Sequence, residues 1–141
     1  MSDTLAEISV RYQGKLRCEA TRVNTGESVR TDVGASHGGL DQCFSPIELA
    51  AAALGTCVTS VMAILAERNG VDLAPLEISV RTQMTSAPVR RIGAIGLTLR
   101  FPNGASISEV VRKKLEATAN ACPVKHSLHP DIHVTLEFVY E

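Results

Sequence analysis

A long, almost wholly apolar segment, residues 47–66, constrains the fold of this chain more than any other feature of its sequence. Ser45, Pro46 and Glu48 have the residue types and spacing of a helix capping box with proline at the first helical position. Gly70 is suited to the position just past a helix end. We therefore predict one helix over about residues 46–69, roughly 35 Å long at 1.5 Å per residue.

This predicted helix has no broad polar face, because Thr56, Thr59 and Ser60 are its only polar side chains between residues 49 and 66. A helix that is apolar nearly all round must be covered nearly all round, and a single sheet of this size covers one side. We therefore predict a homodimer in which a second subunit covers the remainder. The segment is long enough to raise the question of a membrane, but Glu48 and the lack of a cationic flank favour a buried helix and no membrane contact.

Shorter patterns on both sides of this helix indicate strands and a second helix. Period-2 alternation and turn signals predict three strands before the long helix, two between the helices and one at the end. Ser106 and Glu109 form a second capping box, and the helix after it has Leu115 and Cys122 on its apolar face. We predict a single α+β domain over residues 1–141, with an antiparallel sheet, a long central helix and a second helix. The predicted strands cover residues 6–12, 15–22, 28–31, 76–84, 90–101 and 132–140.

Composition excludes several classes of partner. The chain has 14 basic and 15 acidic side chains without a basic stripe, which argues against nucleic acid. It has no tryptophan and only 4% aromatic residues, so a platform for stacking bases is not expected either. The N-terminal residues lack the features of a secretory signal, which predicts a cytoplasmic protein. In that reducing compartment four cysteines are expected as reactive or buried thiols rather than structural disulfides.

Two of these cysteines, Cys57 and Cys122, lie where thiol chemistry is plausible. Neither belongs to a CxxC pair, so the two can meet only through the fold. Cys57 lies in the apolar interior of the long helix, where it is either a nucleophile that needs a nearby cation or a passive core residue. Cys122 precedes Pro123; it is either the N-cap of a new helical turn, where N–H groups favour a thiolate, or a thiol that closes the apolar face. His126 is placed to add positive charge.

A metal site is not predicted. The candidate cluster of ligand-type residues is Cys122, His126, His129 and His133, but its irregular spacing crosses Pro130 and enters a strand. No organic cofactor is predicted either. The other two cysteines, Cys18 and Cys43, are interpreted as bystanders, Cys43 as an oxidisable surface thiol at most.

Two motifs resemble the OsmC/Ohr family of organic hydroperoxide reductases. They are the run FSPIELAAAALGTC, residues 44–57, and the run CPVKHSL, residues 122–128. The resemblance implies an intertwined homodimer with active sites at the interface. It also implies that Cys57 attacks the peroxide and that Cys122 resolves the product.

The function implied by the resemblance is a thiol-dependent peroxidase acting on organic hydroperoxides and hydrogen peroxide. Its partners are then a small-molecule peroxide and an external dithiol reductant, and it needs no cofactor. The alternative is a non-enzymatic dimeric module of the same family that binds a small apolar ligand and whose cysteines are inert.

Two supporting residues of the family are matched less directly. The family glutamate aligns with Ile47, one residue before Glu48, so Glu48 is either catalytic or only the acidic member of its capping box. The family arginine lies in the first hairpin turn. Its counterpart is one of four residues: Arg11, Arg17, Arg90 or Arg91.

Overall fold

The helices and strands of the computed structural model, which describes residues 3–141, follow the predicted order with one short helix added. The described residues form two compact units, an N-terminal unit that ends at Leu49 and a C-terminal unit, Ala50–Glu141. The strands are β1 (Ile8–Gly14), β2 (Arg17–Arg22), β3 (Ser28–Thr31), β4 (Glu77–Thr85), β5 (Arg91–Phe101) and β6 (His133–Tyr140). The helices are α1 (Pro46–Arg68), α2 (Glu109–Asn120) and α3 (Pro123–Ser127), with single 3-10 turns at Ala35–His37 and Gly104–Ser106.

The N-terminal unit is built on an antiparallel sheet in the order β1-β2-β3. The β1–β2 turn has positive φ at Gly14, Lys15 and Leu16, and glycine there removes the Cβ strain of the left-handed region. One face of β1 is apolar and open, with Ile8, Val10 and Tyr12 each at least 64% exposed. A groove of about 500 Å³ lies beside this strand. An exposed apolar face of this kind is typical of an interaction surface.

The C-terminal unit is built on a sheet in the order β4-β5-β6. β4 and β5 are antiparallel, as predicted, but β5 and β6 are parallel, so the prediction of a wholly antiparallel sheet is wrong for this pair. The reason is the crossover between them: the chain passes through α2 and α3 and returns to the same end of the sheet. The α+β class is confirmed, with two three-stranded sheets instead of one.

The core of the C-terminal unit lies between its sheet and its helices. Alternate residues of β5 point inward, α1 covers them, and α2 with the residue before α3 closes one side. Burying one Leu, Ile or Val side chain fully contributes about 1.5–3 kcal/mol, so this cluster is the main stabilising feature. Its buried members are Ala51, Leu54, Val58, Met62, Ala66, Ile95, Leu97, Leu99, Phe101, Ile107, Leu115, Ala119 and Cys122.

The predicted limits of α1 are confirmed, and those of α2 need a correction. The Ser45 Oγ accepts from the N–H of Glu48 at 3.1 Å, and a Glu48 carboxylate oxygen accepts from the N–H of Ser45 at 3.1 Å. Gly70 follows the helix with a φ of 69°. The N-cap of α2 is Ser108, which accepts from the N–H of Val111, whereas Ser106 belongs to the preceding 3-10 turn. The predicted Ser106 capping box is therefore wrong.

Helix α1 is uncovered over much of its length. Of the described helices it is the one long and apolar enough, by length and composition, to cross a membrane, and 33% of its most apolar window is buried. A core helix of a water-soluble domain passes the same test when another surface covers it. Ile64, 52% exposed, marks the open side.

Candidate active site

Cys57 lies nearly three turns into α1, on the side of the helix that contacts the core of the C-terminal unit. Its neighbours Leu54 and Val58 are completely buried, while Cys57 itself is half-buried and packs at the edge of the cluster. The dipole of α1 gives little help to this thiol, because the effect fades beyond the first helical turn. A thiolate at Cys57 therefore depends on other charges around it.

Cys122 lies in the short connection between α2 and α3, at the N-cap of α3. Pro123 holds the first helical position, and the N–H of His126 donates to the Cys122 carbonyl at 3.1 Å. Of the alternatives that the sequence left open, Pro123 starts a new helical turn with Cys122 as its N-cap, and the Cys122 side chain also lies within the buried apolar cluster. Cys122 has an exposed fraction of 0%, so its thiol does not contact solvent.

The fold brings the two thiols together. Burial raises the pKa of the Cys122 thiol, and hydrogen bonding with the neighbouring Cys57 raises it further. The N–H groups of Lys125 and Val124 lower that pKa, but burial outweighs them. The expectation that the helix start favours a thiolate at Cys122 is therefore wrong for this state. Both cysteines are free thiols.

The two thiols differ in their access to solvent. Cys57, expected in the apolar interior, is half-buried, whereas Cys122 is completely buried. A half-buried thiol next to a buried, protonated one is an arrangement suited to two-step chemistry. The outer sulfur can meet a reagent, and the inner sulfur can react only with its neighbour.

Glu48 belongs to the N-terminal unit and uses its carboxylate in the capping box with Ser45 described above. The structural part of the prediction, an acidic cap at the third helical position, is therefore confirmed. A catalytic part for Glu48 stays a prediction.

Among the four arginines proposed from the sequence, Arg17 has the most elaborate surroundings. Its guanidinium lies 3.5 Å from the carboxylate of Asp32 and also donates to the side-chain oxygen of Gln42. Its Nε is buried without a hydrogen-bond partner among residues 3–141. Arg11 and Arg90 are exposed, and Arg91 donates to the backbone carbonyl of Ile92.

Asp32 is a buried acidic residue that sequence reasoning missed. It is 1% exposed, and its carboxylate accepts from the N–H groups of Gln42, Val33 and Leu40 at 3.0, 2.8 and 3.3 Å. The Gln42 N–H is the main cause that holds the pKa of Asp32 below its ordinary value, while burial opposes it and Arg17 assists. The available signal was an aspartate directly after a strand and before a glycine-containing loop, where aspartate commonly binds backbone N–H groups.

The other proposed ligand-type residues do not assemble into a site. Within residues 3–141 no group of three histidine, cysteine or acidic side chains is placed to hold a metal ion. His129 instead accepts from the N–H of Asp131 at 3.0 Å. Cys18 and Cys43 are half-buried thiols of the N-terminal unit.

Comparison with known proteins gives one family and a consistent fold. A family model described as OsmC-like protein matches residues 37–137. A Psychrobacter arcticus protein, described as an osmotic stress induced and detoxification response protein, is 28% identical over 97% of this chain and 98% of that chain, with a TM-score of 0.89. No curated protein matches this chain by sequence.

Two more distant structures show the same fold. An organic hydroperoxide resistance protein from Elizabethkingia anophelis is 16% identical over 99% of this chain and 100% of that chain, with a TM-score of 0.76. The organic hydroperoxide resistance protein OhrB of Bacillus subtilis is 18% identical over 96% of this chain and 98% of that chain, with a TM-score of 0.67.

Proposed function

The chain belongs to the OsmC-like protein family, and on that premise we propose that it is a thiol-dependent peroxidase that reduces organic hydroperoxides. The observation that carries this proposal is the adjacency of the half-buried Cys57 and the buried Cys122. Relatives with this fold include proteins named for resistance to organic hydroperoxides. A small-molecule peroxide and an external dithiol are the two co-reactants.

The proposed cycle has three steps. The Cys57 thiolate attacks the outer oxygen of the hydroperoxide; the O–O bond breaks, the alkoxide takes a proton to leave as an alcohol, and Cys57 becomes a sulfenic acid. The Cys122 sulfur then attacks the Cys57 sulfur, and water leaves as the disulfide forms. An external dithiol reduces that disulfide by exchange and is itself oxidised to a disulfide.

The burial of Cys122 supports its resolving role. A buried, protonated thiol does not compete with Cys57 for the peroxide, because the thiolate is the nucleophile. Once Cys57 is a sulfenic acid, the attacked sulfur lies directly beside Cys122. Proximity of this kind replaces an encounter between two molecules with an intramolecular step.

Among the four candidate arginines, Arg17 is our choice for the counterpart of the family arginine. It directly follows the first hairpin turn, where the family arginine is expected, and its guanidinium is anchored by Asp32 and Gln42. We retain Glu48 as the second supporting candidate, although its capping bonds account for its position without a catalytic role.

The protein is proposed to act as a cytoplasmic homodimer. The open apolar face of β1 and the uncovered side of α1 are both large apolar surfaces, and a second copy of the chain would remove them from water. Light scattering at micromolar concentration should give twice the 15.0 kDa chain mass. A stable monomer at that concentration would contradict the dimer.

The deciding experiment measures dithiol-dependent consumption of cumene hydroperoxide. We expect Cys57→Ser to abolish it and Cys122→Ser to give one rapid turnover followed by a stall or by over-oxidation of Cys57. Cys43→Ser is the matched control and should retain wild-type turnover, because the proposed cycle does not use its thiol. Peptide mapping after one equivalent of hydroperoxide should find a Cys57–Cys122 link.

The outcomes separate the proposal from its alternative. A wild-type protein that consumes neither cumene hydroperoxide nor hydrogen peroxide with any dithiol would exclude the peroxidase and favour the non-enzymatic ligand-binding module. Oxidation confined to Cys43 or Cys18 would exclude the thiol assignment while leaving a peroxidase open.

A further inference from the structure

A polar trough runs along the outer face of the C-terminal sheet, on the side opposite the core. Its floor is the central strand β5, which has only Ala94 and Gly96 at these positions, while the flanking strands carry longer polar side chains. The cavity measures about 450 Å³, within the range of small-molecule sites. The polar side chains on this face of the flanking strands are Arg81, Gln83, His133 and Thr135.

The polar groups of the trough converge over Gly96. Arg81, Gly96 and Thr135 lie side by side in one row of the sheet. The hydroxyl oxygen of Thr135 and a terminal nitrogen of Arg81 lie 3.2 and 3.3 Å from the position that a Cβ on Gly96 would occupy. Glycine at this mid-strand position therefore lets two hydrogen-bonding groups approach the same point from opposite strands.

A hydrogen bond to the next outward-facing residue of β5 holds Arg81 in this position. Its Nη2 donates to the hydroxyl of Thr98 at 3.0 Å, and Thr98 donates in turn to the Glu137 carboxylate at 3.4 Å. Thr98 is only 7% exposed although it lies on the outer face of the sheet. The remaining N–H groups of the Arg81 guanidinium have no acceptor within residues 3–141, so a bound group can use them.

The charge of the trough selects an anion. Arg81 is a permanent cation and His133 a conditional one, and no carboxylate lines the cavity. Glu137, in the next row of the same sheet face, accepts a hydrogen bond from Thr98 and keeps its negative charge outside the cavity lining. We propose that this trough is a binding site for a small anion that presents a carboxylate or phosphate group to Arg81, His133 and Thr135. A planar guanidinium fork suits both groups, because each offers two oxygens in one plane to adjacent N–H donors.

The test is titration of the reduced protein with inorganic phosphate and, separately, with benzoate, at constant ionic strength. Amide NMR shifts should move at residues 94–96 and 133–135. Arg81→Met should weaken binding at least about tenfold, as expected for loss of a charge-assisted bond. Gly96→Val fills the floor without changing charge and should abolish binding. The preferred probe of the two tells whether the natural group is a carboxylate or a phosphate.

Arg100→Met is the matched control. Arg100 lies on the same face of β5, is exposed and pairs with Glu141 at 3.2 Å, so its loss removes the same charge outside the trough. It should change affinity by less than about twofold, since exposed charges contribute little. If Gly96→Val does not fold, Thr135→Val replaces it and should weaken binding severalfold. Equal weakening by Arg81→Met and Arg100→Met, or undiminished binding by Gly96→Val, would overturn the proposal.

Discussion

Gly55 gives a sharp test of how closely α1 approaches the sheet beside Cys57. A Cβ added at Gly55 would lie 3.0 Å from a methyl carbon of Val80 and 4.0 Å from Leu97. Alanine is a better helix former than glycine by about 1 kcal/mol. Overpacking against a neighbour that cannot move costs about 1–3 kcal/mol. We therefore expect Gly55→Ala to lower the free energy of unfolding by up to about 2 kcal/mol in the wild-type background.

The same substitution should change sign when Val80 is truncated. In a Val80→Ala background the nearest remaining side-chain contact is Leu97 at 4.0 Å, an ordinary distance, so Gly55→Ala should raise the free energy of unfolding by about 1 kcal/mol. Urea unfolding of the four proteins at one fixed subunit concentration measures this double-mutant cycle. Ala117→Gly in α2, at an exposed site, calibrates the helix propensity. Equal effects of Gly55→Ala in both backgrounds would refute the close-contact argument.

Three further predictions concern single side chains. If Glu48 is only a helix cap, Glu48→Gln should lower the free energy of unfolding, measured in urea, by about 1 kcal/mol or less and retain peroxide turnover. Lost turnover at unchanged stability would show a catalytic role. Burial, assisted by Glu116, raises the pKa of Tyr140 to about 12. The folded state therefore favours the neutral phenol, so the wild type should lose stability relative to Tyr140→Phe as pH rises from 10 to 12. Parallel plots of the free energy of unfolding against pH for the two proteins would contradict this. The pKa of Asp32 is lowered from 3.8, so the folded state favours its ionised carboxylate and Asp32→Asn should be destabilising at neutral pH. The difference in free energy of unfolding between the wild type and this variant should shrink as pH falls below 3.8. A pH-independent difference in urea midpoint would contradict the charge argument.

Local features of this chain could be predicted from the sequence because their partners are near in sequence. The capping box at Ser45, the glycine after α1 and the helical turn after Cys122 each depend on residues within four positions. The start of α2 was misplaced by two residues, because Ser106 and Ser108 are both suitable caps and a 3-10 turn uses the first. Local chemistry alone does not distinguish the two serines.

Features that depend on residues far apart in sequence could not be predicted from local sequence patterns. The direction of β6 depends on where the crossover through α2 and α3 delivers the chain, which no alternation within the strand reveals. The site of Asp32 depends on a loop that folds back to offer three N–H groups. The pairing of Cys57 with Cys122 followed from family resemblance, since residue spacing favoured a core role for Cys57 and left Cys122 open between core and helix cap.

The placement of Cys57 and Cys122 on two elements remote in sequence means that the proposed redox cycle should change the stability of the protein. A bond between them would close a loop of about 65 residues, and the chain-entropy account assigns such a crosslink about 4 kcal/mol of stability. Oxidation should then stabilise the C-terminal unit against unfolding, and reduction should remove that stabilisation. If the oxidised protein is stabilised over the reduced protein by less than this amount, the difference indicates strain in the disulfide. A strained disulfide is more readily reduced. A melting curve of the oxidised and reduced protein would therefore give a first measure of how readily a dithiol can complete the cycle.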